Sequence, residues 1–149
     1  MPGDIVTLVR CAPDGQPLAQ VAELPEGLVA NCLLTADLYR RIGYVEPWVG
    51  YIAVVGETGV GGGAFVGPPK DGCVEIAYFT LPEWQGQGIA GQTAAGLMAI
   101  ARAHDPTMKF KAFTLMEENP SVRVLRRLDF AIVGTAHDAD AGEVWEWRA

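Results

Sequence analysis

The stretch that decides the fold reads CVEIAYFTL at residues 73–81 and PEWQGQGIAG at residues 82–91. The first part is largely apolar and follows a Pro- and Gly-rich turn, which predicts a strand from Cys73 to Leu81. The second part places three glycines before an alanine-rich run, which predicts a turn and then a helix from Gly88 to His104. We therefore expect the chain to be organised around a glycine-rich junction between a strand and the exposed first turn of a helix.

The composition indicates one folded domain over residues 1–149. Half of the residues are hydrophobic and 19% are charged, which suffices to bury one core and argues against disorder. No apolar run is long enough to span a membrane, and the N-terminus lacks a signal-peptide pattern. Three scattered cysteines form neither a zinc motif nor a redox motif. These features predict a cytoplasmic protein that does not bind a membrane or a metal.

The net charge of −7 argues against a nucleic-acid partner, because such partners require a basic surface. The cations are nevertheless clustered, since six of the eleven lie between Arg102 and Arg127. This cluster is compatible with a bound anionic ligand and equally with solvated helix and strand faces.

The remaining elements follow from turn signals and hydrophobic periodicity. The expected fold is α+β, with a mixed, mostly antiparallel sheet of about seven strands and one parallel strand–helix–strand crossover. The predicted strands are 5–11, 48–55, 60–66, 73–81, 109–115, 131–135 and 143–147, and the predicted helices are 18–24, 25–43, 88–104 and 120–128.

Gly86, Gly88 and Gly91 open the helix at residues 88–104 and predict an anion site. The first amides of a helix lack internal partners, and the helix dipole makes this end positive. Glycines also let the amides approach a phosphate closely. An ordinary loop before a helix would contain similar glycines, so the pattern alone leaves both interpretations open.

The same glycines satisfy Gly-x-Gly-x-x-Gly, the pattern of dinucleotide-binding folds. Residues 82–85, however, separate the strand from Gly86, whereas that pattern needs a tight strand-to-glycine turn. No acidic residue ends a strand about twenty residues later, and too little chain remains for a doubly wound sheet. We therefore reject the dinucleotide interpretation.

Two motifs resemble those of the GNAT superfamily of acetyl-CoA-dependent N-acetyltransferases. The segment QGQGIA (85–90) is similar to the superfamily's (Gln/Arg)-x-x-Gly-x-(Gly/Ala) motif, and PEW (82–84) to its usual lead-in. The segment NPSVRVLRRLDF (119–130) resembles its second motif, an asparagine followed by a helix and Gly-Phe. The order of elements is also similar. The resemblance implies helices on both faces of the sheet and a V-shaped splay, caused by a bulge, between the fourth and fifth strands.

The resemblance further implies acetyl-CoA as co-substrate. The pantetheine arm would bond to the backbone of residues 78–80, with an amide near Phe79 polarising the thioester, and the pyrophosphate would bind the amides of residues 86–91. Asn119 would meet the distal pantetheine, and Arg123 or Arg126 the adenosine phosphates. The implied cofactor-binding residues are Tyr78, Phe79, Thr80, Gln85, Gly86, Gln87, Gly88, Ile89, Ala90, Gly91, Asn119 and Arg123.

The second motif departs from the family in three ways. Its spacing is one residue shorter, so Glu118 rather than Asn119 could occupy the place of the asparagine. Asp129 replaces the glycine, and aspartate tolerates the left-handed conformation better than most residues. The tyrosine that many members use as general acid is absent, and its position falls at Leu125 or Arg126.

Glu75 and Tyr78 are the candidate catalytic residues. Acetylation of an amine requires a base, and Glu75 lies between apolar neighbours, where burial would raise its pKa. Its place in the strand also matches the glutamate base of histone-type members. A solvated or lysine-paired Glu75 is the alternative. Tyr78 could protonate the leaving thiolate, although core packing would explain this residue equally well.

The resemblance therefore implies transfer of acetyl from acetyl-CoA to a primary amine of a small molecule or a peptide, within a ternary complex. An acidic protein suits a cationic acceptor, and four acidic residues lie in the region that borders the acceptor site in this family: Glu23, Glu26, Asp37 and Glu46. The alternatives are a catalytically weak or inactive CoA-binding regulatory module and a small interaction domain. Trp145 and Trp147 are expected on one sheet face, where they could cover a homodimer interface.

Overall fold

A computed structural model describes residues 5–19 and 21–149. It contains seven strands, three α-helices and one 3₁₀ turn within these residues. The strands are β1 (Val6–Arg10), β2 (Gly50–Val55), β3 (Thr58–Phe65), β4 (Cys73–Thr80), β5 (Lys109–Leu115), β6 (Ala131–Asp138) and β7 (Gly142–Arg148). The helices are α1 (Glu26–Ile42), α2 (Ile89–His104) and α3 (Pro120–Arg127), and the 3₁₀ turn is Pro82–Trp84.

The strands form one sheet in the order β1-β2-β3-β4-β5-β7-β6. Only β4 and β5 are parallel, and every other neighbouring pair is antiparallel. This arrangement confirms the predicted α+β fold with a mixed, mostly antiparallel sheet and one crossover through α2. Among the described residues, no helix is long and apolar enough to cross a bilayer.

The helix predicted at residues 18–24 is wrong. The described residues of this segment contain no helix and are held instead by bonds to strands. The N–H of Leu18 donates to the carbonyl of Arg10, and Glu23 exchanges hydrogen bonds with Glu57 and Gly59. These tertiary bonds replace the local bonds that a helix would have made.

The closing hairpin is tighter than the sequence indicated. Strands β6 and β7 extend to Asp138 and back from Gly142, beyond the predicted strands at 131–135 and 143–147. The Asp138 carboxylate accepts hydrogen bonds from the amides of Asp140 and Ala141, and Gly142 has a φ of +79°. The Asp138 side chain therefore closes a short turn between the two strands.

The helices cover both faces of the sheet, and the glycines of β3 let them approach closely. On one face, Leu28 of α1 packs in a cluster with Ile52. A Cβ at Gly59 would lie 2.6 Å from Leu28 of α1, and a Cβ at Gly63 would lie 2.9 Å from Leu97 of α2. The helices α2 and α3 share the larger core cluster on the other face.

The two tryptophans of β7 lie edge to face, with ring centroids 6.2 Å apart. Trp147 is fully buried, and its indole N–H donates to the hydroxyl of Thr114 at 2.8 Å. Trp147 therefore belongs to the core and does not cover an interface. The homodimer remains a prediction without this support.

Candidate active site

Strands β4 and β5 separate part-way along their length. They pair only from Cys73 opposite Lys109 to Glu75 opposite Lys111, although β4 continues to Thr80. Beyond this point β4 stays with β3, and β5 stays with β7. The splay is thus present where it was expected.

The bulge that the resemblance implied in the fourth strand is not found. The register between β3 and β4 is continuous from Phe65 opposite Ile76 to Gly61 opposite Thr80. Register shifts occur instead between β2 and β3 and between β6 and β7. The slot opens because each strand follows its own antiparallel neighbour in a twisted sheet.

A cavity of about 110 Å³ lies in this splay, and we call it the slot cavity. Helix α3 contributes to its wall, so the cavity is bounded by two strands and a helix. Its lining residues are Glu75, Ile76, Ala77, Tyr78, Ala112, Phe113, Thr114, Ser121 and Leu125.

The hydrogen bonds of β4 show which backbone groups face the slot. The N–H of Val66 donates to the carbonyl of Glu75, and the N–H of Leu81 donates to Val60, so the odd-numbered residues bond towards β3. Successive residues of a strand direct their N–H and C=O groups to opposite sides. The even-numbered residues therefore direct theirs towards β5.

Past the last β4–β5 pair, the residues whose backbone groups face the slot are Ile76, Tyr78 and Thr80. The Thr80 carbonyl accepts a hydrogen bond from the Gln85 side chain at 3.2 Å. Phe79 directs its N–H and C=O towards β3, so the structure does not bring them to the slot. Of the three residues whose backbone was expected to contact the ligand, Tyr78 and Thr80 therefore direct their N–H and C=O groups into the slot, and Phe79 does not.

Tyr78 places its hydroxyl beside the slot cavity. This hydroxyl donates to the carbonyl of Ser121 at 3.2 Å. Burial raises the pKa of Tyr78 well above its usual range, so the phenol keeps its proton at neutral pH. The residue also packs against the core, so its two predicted roles are compatible with each other.

Glu75 lies at the point where β4 and β5 part, on the face of the strand opposite Tyr78. Burial raises the pKa of its carboxyl group, Lys111 opposes this shift, and Glu146 adds to it. No ion pair joins Glu75 to Lys111 within the described part of the chain. The carboxyl group is therefore partly desolvated without being neutralised, as a base requires.

The glycine loop leads from β4 into α2. Gly86 and Gly88 have φ values of +80° and +78°, a region that favours glycine. Gly88 is the N-cap of α2 and has no side chain to cap it, so the amides of Ile89 and Ala90 point outwards unpaired by any cap side chain. A Cβ at Gly86, Gly88 or Gly91 would meet nothing within 4 Å, which leaves the amides accessible to a ligand.

The start of α2 is anchored against the sheet at the end of this loop. The side chain of Ile89 is fully buried, which fixes the start of α2 against the sheet. Gln87 is half-buried between the two glycines of positive φ. The hydroxyl of Thr80, at the entry to the loop, is buried and has no hydrogen-bond partner among the described residues.

Residues 15–131 match the sequence profile described as an acetyltransferase (GNAT) domain. The chain belongs to the GNAT family. It is therefore an acyltransferase of the N-acetyltransferase class. No curated protein sequence matches it.

Solved GNAT structures share this fold at low sequence identity. The ribosomal-protein acetyltransferase RimL in complex with coenzyme A is 20% identical, with a TM-score of 0.68 over 97% of this chain and 93% of that one. An acetyltransferase from Salmonella typhimurium that modifies the N-terminal serine of a 50S ribosomal protein is 21% identical (TM-score 0.62, 91% and 77% covered). An IAA acetyltransferase from Bacillus cereus is 16% identical (TM-score 0.68, 96% and 97% covered).

Asn119 and Glu118 have separate roles in this GNAT domain. Asn119 is the N-cap of α3, and its Oδ1 accepts from the amide of Val122 at 3.0 Å. The Glu118 carboxylate forms an ion pair with Arg126 at 2.6 Å. Of the two arginines predicted near the adenosine phosphates, Arg123 is exposed and forms no ion pair with the described residues.

The end of α3 shows how the chain tolerates the missing glycine. Asp129 has a φ of +65°, as expected for the position that glycine occupies in other members. Its amide donates to Arg126, and the amide of Phe130 donates to Leu125, which closes the helix. Of the two positions at which the absent tyrosine falls, Leu125 is fully buried and lines the slot cavity, whereas Arg126 is exposed.

Three lining groups were not predicted from the sequence. These are the carbonyl of Ser121, the buried hydroxyl of Thr114, and Asn31, which lines a second cavity described below. Only their tertiary positions distinguish them, because a serine in a first helical turn, a threonine in a strand and an asparagine within a helix carry no pattern of their own. Within the described residues, no three His, Cys, Asp or Glu side chains are grouped to hold a metal.

Proposed function

We propose that this GNAT domain transfers an acetyl group from acetyl-CoA to a primary amine of a small molecule or a peptide, by direct attack in a ternary complex. The observation that carries the proposal is the arrangement along β4. One strand leads from the slot cavity, lined by Glu75 and Tyr78, to the glycine loop at the start of α2.

The exposed edge of β4 suits the pantetheine arm of CoA. The backbone groups of Tyr78 and Thr80 face the slot and have lost β5 as a partner, so an extended amide chain can complete the ladder. The glycine loop at the end of this edge offers unpaired amides and a helix dipole to the pyrophosphate. The unpartnered Thr80 hydroxyl between these two places fits a polar ligand at this point. Arg123, an exposed cation of α3 that forms no ion pair with the described residues, suits the adenosine phosphates.

The opposite orientation of Glu75 and Tyr78 suits acetyl transfer. The amine nitrogen attacks the thioester carbonyl, the C–N bond forms and the C–S bond breaks. Glu75 accepts the proton that the amine loses, and the protonated phenol of Tyr78 donates a proton to the departing thiolate. The slot-facing amide of Tyr78 stabilises the negative charge that develops on the carbonyl oxygen.

Acetyl-CoA binding and turnover test this proposal separately. Saturating acetyl-CoA should raise the melting temperature, because a ligand at a hundred times its Kd adds about 2.7 kcal/mol of stability. Release of free thiol in the presence of a panel of primary amines, with the product identified by mass, should then show transfer. A thermal shift without turnover of any amine would contradict the proposed enzyme.

The regulatory CoA-binding module is the second candidate, and one observation favours it. The tyrosine that many relatives use as general acid is absent from the two positions at which it would fall, Leu125 and Arg126, and Leu125 presents an apolar side chain to the slot cavity. A thermal shift without turnover is the result this candidate predicts. The absence of any shift would contradict both candidates.

A further inference from the structure

A second cavity lies beside the slot cavity on the α1 face of the sheet, and we call it the side cavity. Its volume is about 170 Å³, and it is lined by Asn31, Gly63, Ala64, Ala77, Tyr78 and Phe79. Ala77 and Tyr78 also line the slot cavity. A molecule that reacts in the slot can therefore place a neighbouring group in the side cavity, provided that only a few atoms separate the two.

No charged side chain lines the side cavity. The acidic residues that the sequence placed near the acceptor are engaged or lie elsewhere. Asp37 forms ion pairs with Arg40 and Arg41, and Glu46 forms one with Arg10. A second positive charge on the acceptor would therefore lose its hydration in this cavity without gaining a counter-charge from the residues that line it.

Asn31 supplies the hydrogen-bonding side chain of the side cavity. The Tyr78 hydroxyl is bonded to Ser121 on the other face, and the remaining lining residues carry apolar side chains or none. Asn31 is half-buried, and its carboxamide forms no hydrogen bond with residues 5–19 or 21–149. Its backbone carbonyl accepts a hydrogen bond from the hydroxyl of Thr35. The carboxamide thus presents one acceptor and one donor group to the cavity.

We propose that Asn31 is a specificity-determining residue that selects acceptor amines carrying an uncharged carboxamide close to the amine. Two carboxamides satisfy each other, since each offers the donor and the acceptor that the other requires. The small side chains of Ala64 and Ala77 leave room for a flat group of this size. The inference rests on the proposed acetyl transfer, because it assumes that the acceptor nitrogen reacts in the slot.

Glycinamide and ethylenediamine form a matched pair of acceptors. Both carry an amine on a short carbon chain, but one ends in a neutral carboxamide and the other in a second amine. The measured quantity is kcat/KM for glycinamide divided by kcat/KM for ethylenediamine. This ratio should fall by about tenfold in Asn31→Asp relative to the unaltered enzyme, because the carboxylate attracts the second ammonium group and repels the carboxamide oxygen. Differences in the intrinsic reactivity of the two amines cancel in this comparison.

Two further variants control the experiment. Ala30→Asp adds the same charge at the neighbouring exposed position and should leave the ratio unchanged. Asn31→Leu should reduce glycinamide turnover without raising that of ethylenediamine, and the acetyl-CoA thermal shift should persist in all three variants. An unchanged ratio in Asn31→Asp, or an equal change in Ala30→Asp, would overturn the inference and leave the proposed function intact. Failure of the unaltered chain to acetylate any amine would overturn the proposed function itself, and this inference with it.

Discussion

The glycine loop and the slot cavity lie at opposite ends of one strand segment and use different parts of the chain. In the loop, backbone amides face the ligand, and the side chains at Gly86 and Gly88 are absent because the φ values require it. In the slot, the proposed chemistry depends on the side chains of Glu75 and Tyr78, which line the cavity. The loop should therefore govern CoA affinity, and the slot should govern turnover. Variants that change CoA affinity without changing turnover, or turnover without affinity, test this division of roles.

Glu75→Gln should give the largest effect. The amide keeps the shape of the side chain but cannot accept a proton, so kcat should fall by about a hundredfold or more. The thermal shift caused by acetyl-CoA should not change, because the carboxylate is not part of the loop. The measurement is thiol release at saturating acetyl-CoA, and an unchanged kcat would exclude Glu75 as the base.

The pH dependence of kcat/KM gives a second test of Glu75 as the base. Burial raises the pKa of this carboxyl group, and the base must be ionised to act, so kcat/KM should rise with pH through a pKa above the usual carboxyl range. Lys111→Met should move this acidic limb to higher pH, because Lys111 lowers the pKa of Glu75. If the acidic limb of the kcat/KM profile does not move in Lys111→Met, a group other than Glu75 determines it.

Gly88→Val should weaken CoA binding, the property that the comparison assigns to the glycine loop. A β-branched residue at a φ of +78° costs about 1–3 kcal/mol of strain. If the variant relieves this strain by turning its amides away, the Kd of CoA should rise roughly 5- to 150-fold, while kcat at saturation stays within a few-fold. Calorimetric titration with CoA measures the affinity. Gly134→Ala, at a site with open space and no positive φ, is the matched control.

This division also explains what the sequence could reveal. A site built from backbone amides appears in the sequence as glycines, so the loop was located correctly from the pattern at residues 86–91. The antiparallel meander of β2, β3 and β4, the parallel β5 and the closing hairpin followed from turn residues and alternation. The helix at residues 18–24 was predicted wrongly because its hydrogen bonds go to distant partners, Arg10 and Glu57, which no local pattern indicates.

The side chains around the slot were predicted only in part. Glu75 was conspicuous because a charge interrupts an apolar strand. Asn31 lies in the middle of an amphipathic helix, where a polar residue at the edge of the buried face is ordinary. The role proposed for Asn31 depends on its position beside Ala64 in the side cavity. Only the packing of α1 on the sheet brings these two residues together.

Tyr78→Phe should have an intermediate effect. Loss of the proton donor should lower kcat about tenfold, because the thiolate must then leave unprotonated or take a proton from water. The loss of the hydrogen bond to Ser121 should also cost about 1 kcal/mol of stability. Single-turnover rates at saturating substrates separate the two effects. Thr114→Val, which removes the other buried hydroxyl of the slot, should alter stability without the same loss of rate.

Asp129→Gly should give the smallest effect, and it concerns stability alone. Asp129 adopts a φ of +65° at the end of α3, where an L-residue pays roughly 1 kcal/mol that glycine does not. Glycine loses more conformational entropy on folding, which offsets part of this gain. We therefore expect the free energy of unfolding in urea to rise by about 0.5 kcal/mol. Asp140→Gly, at a residue whose own φ is not positive, should lower it instead. If both variants lost stability equally, the aspartate at position 129 would be better accommodated than its backbone conformation indicates, and α3 would owe its end to side-chain contacts rather than to the backbone.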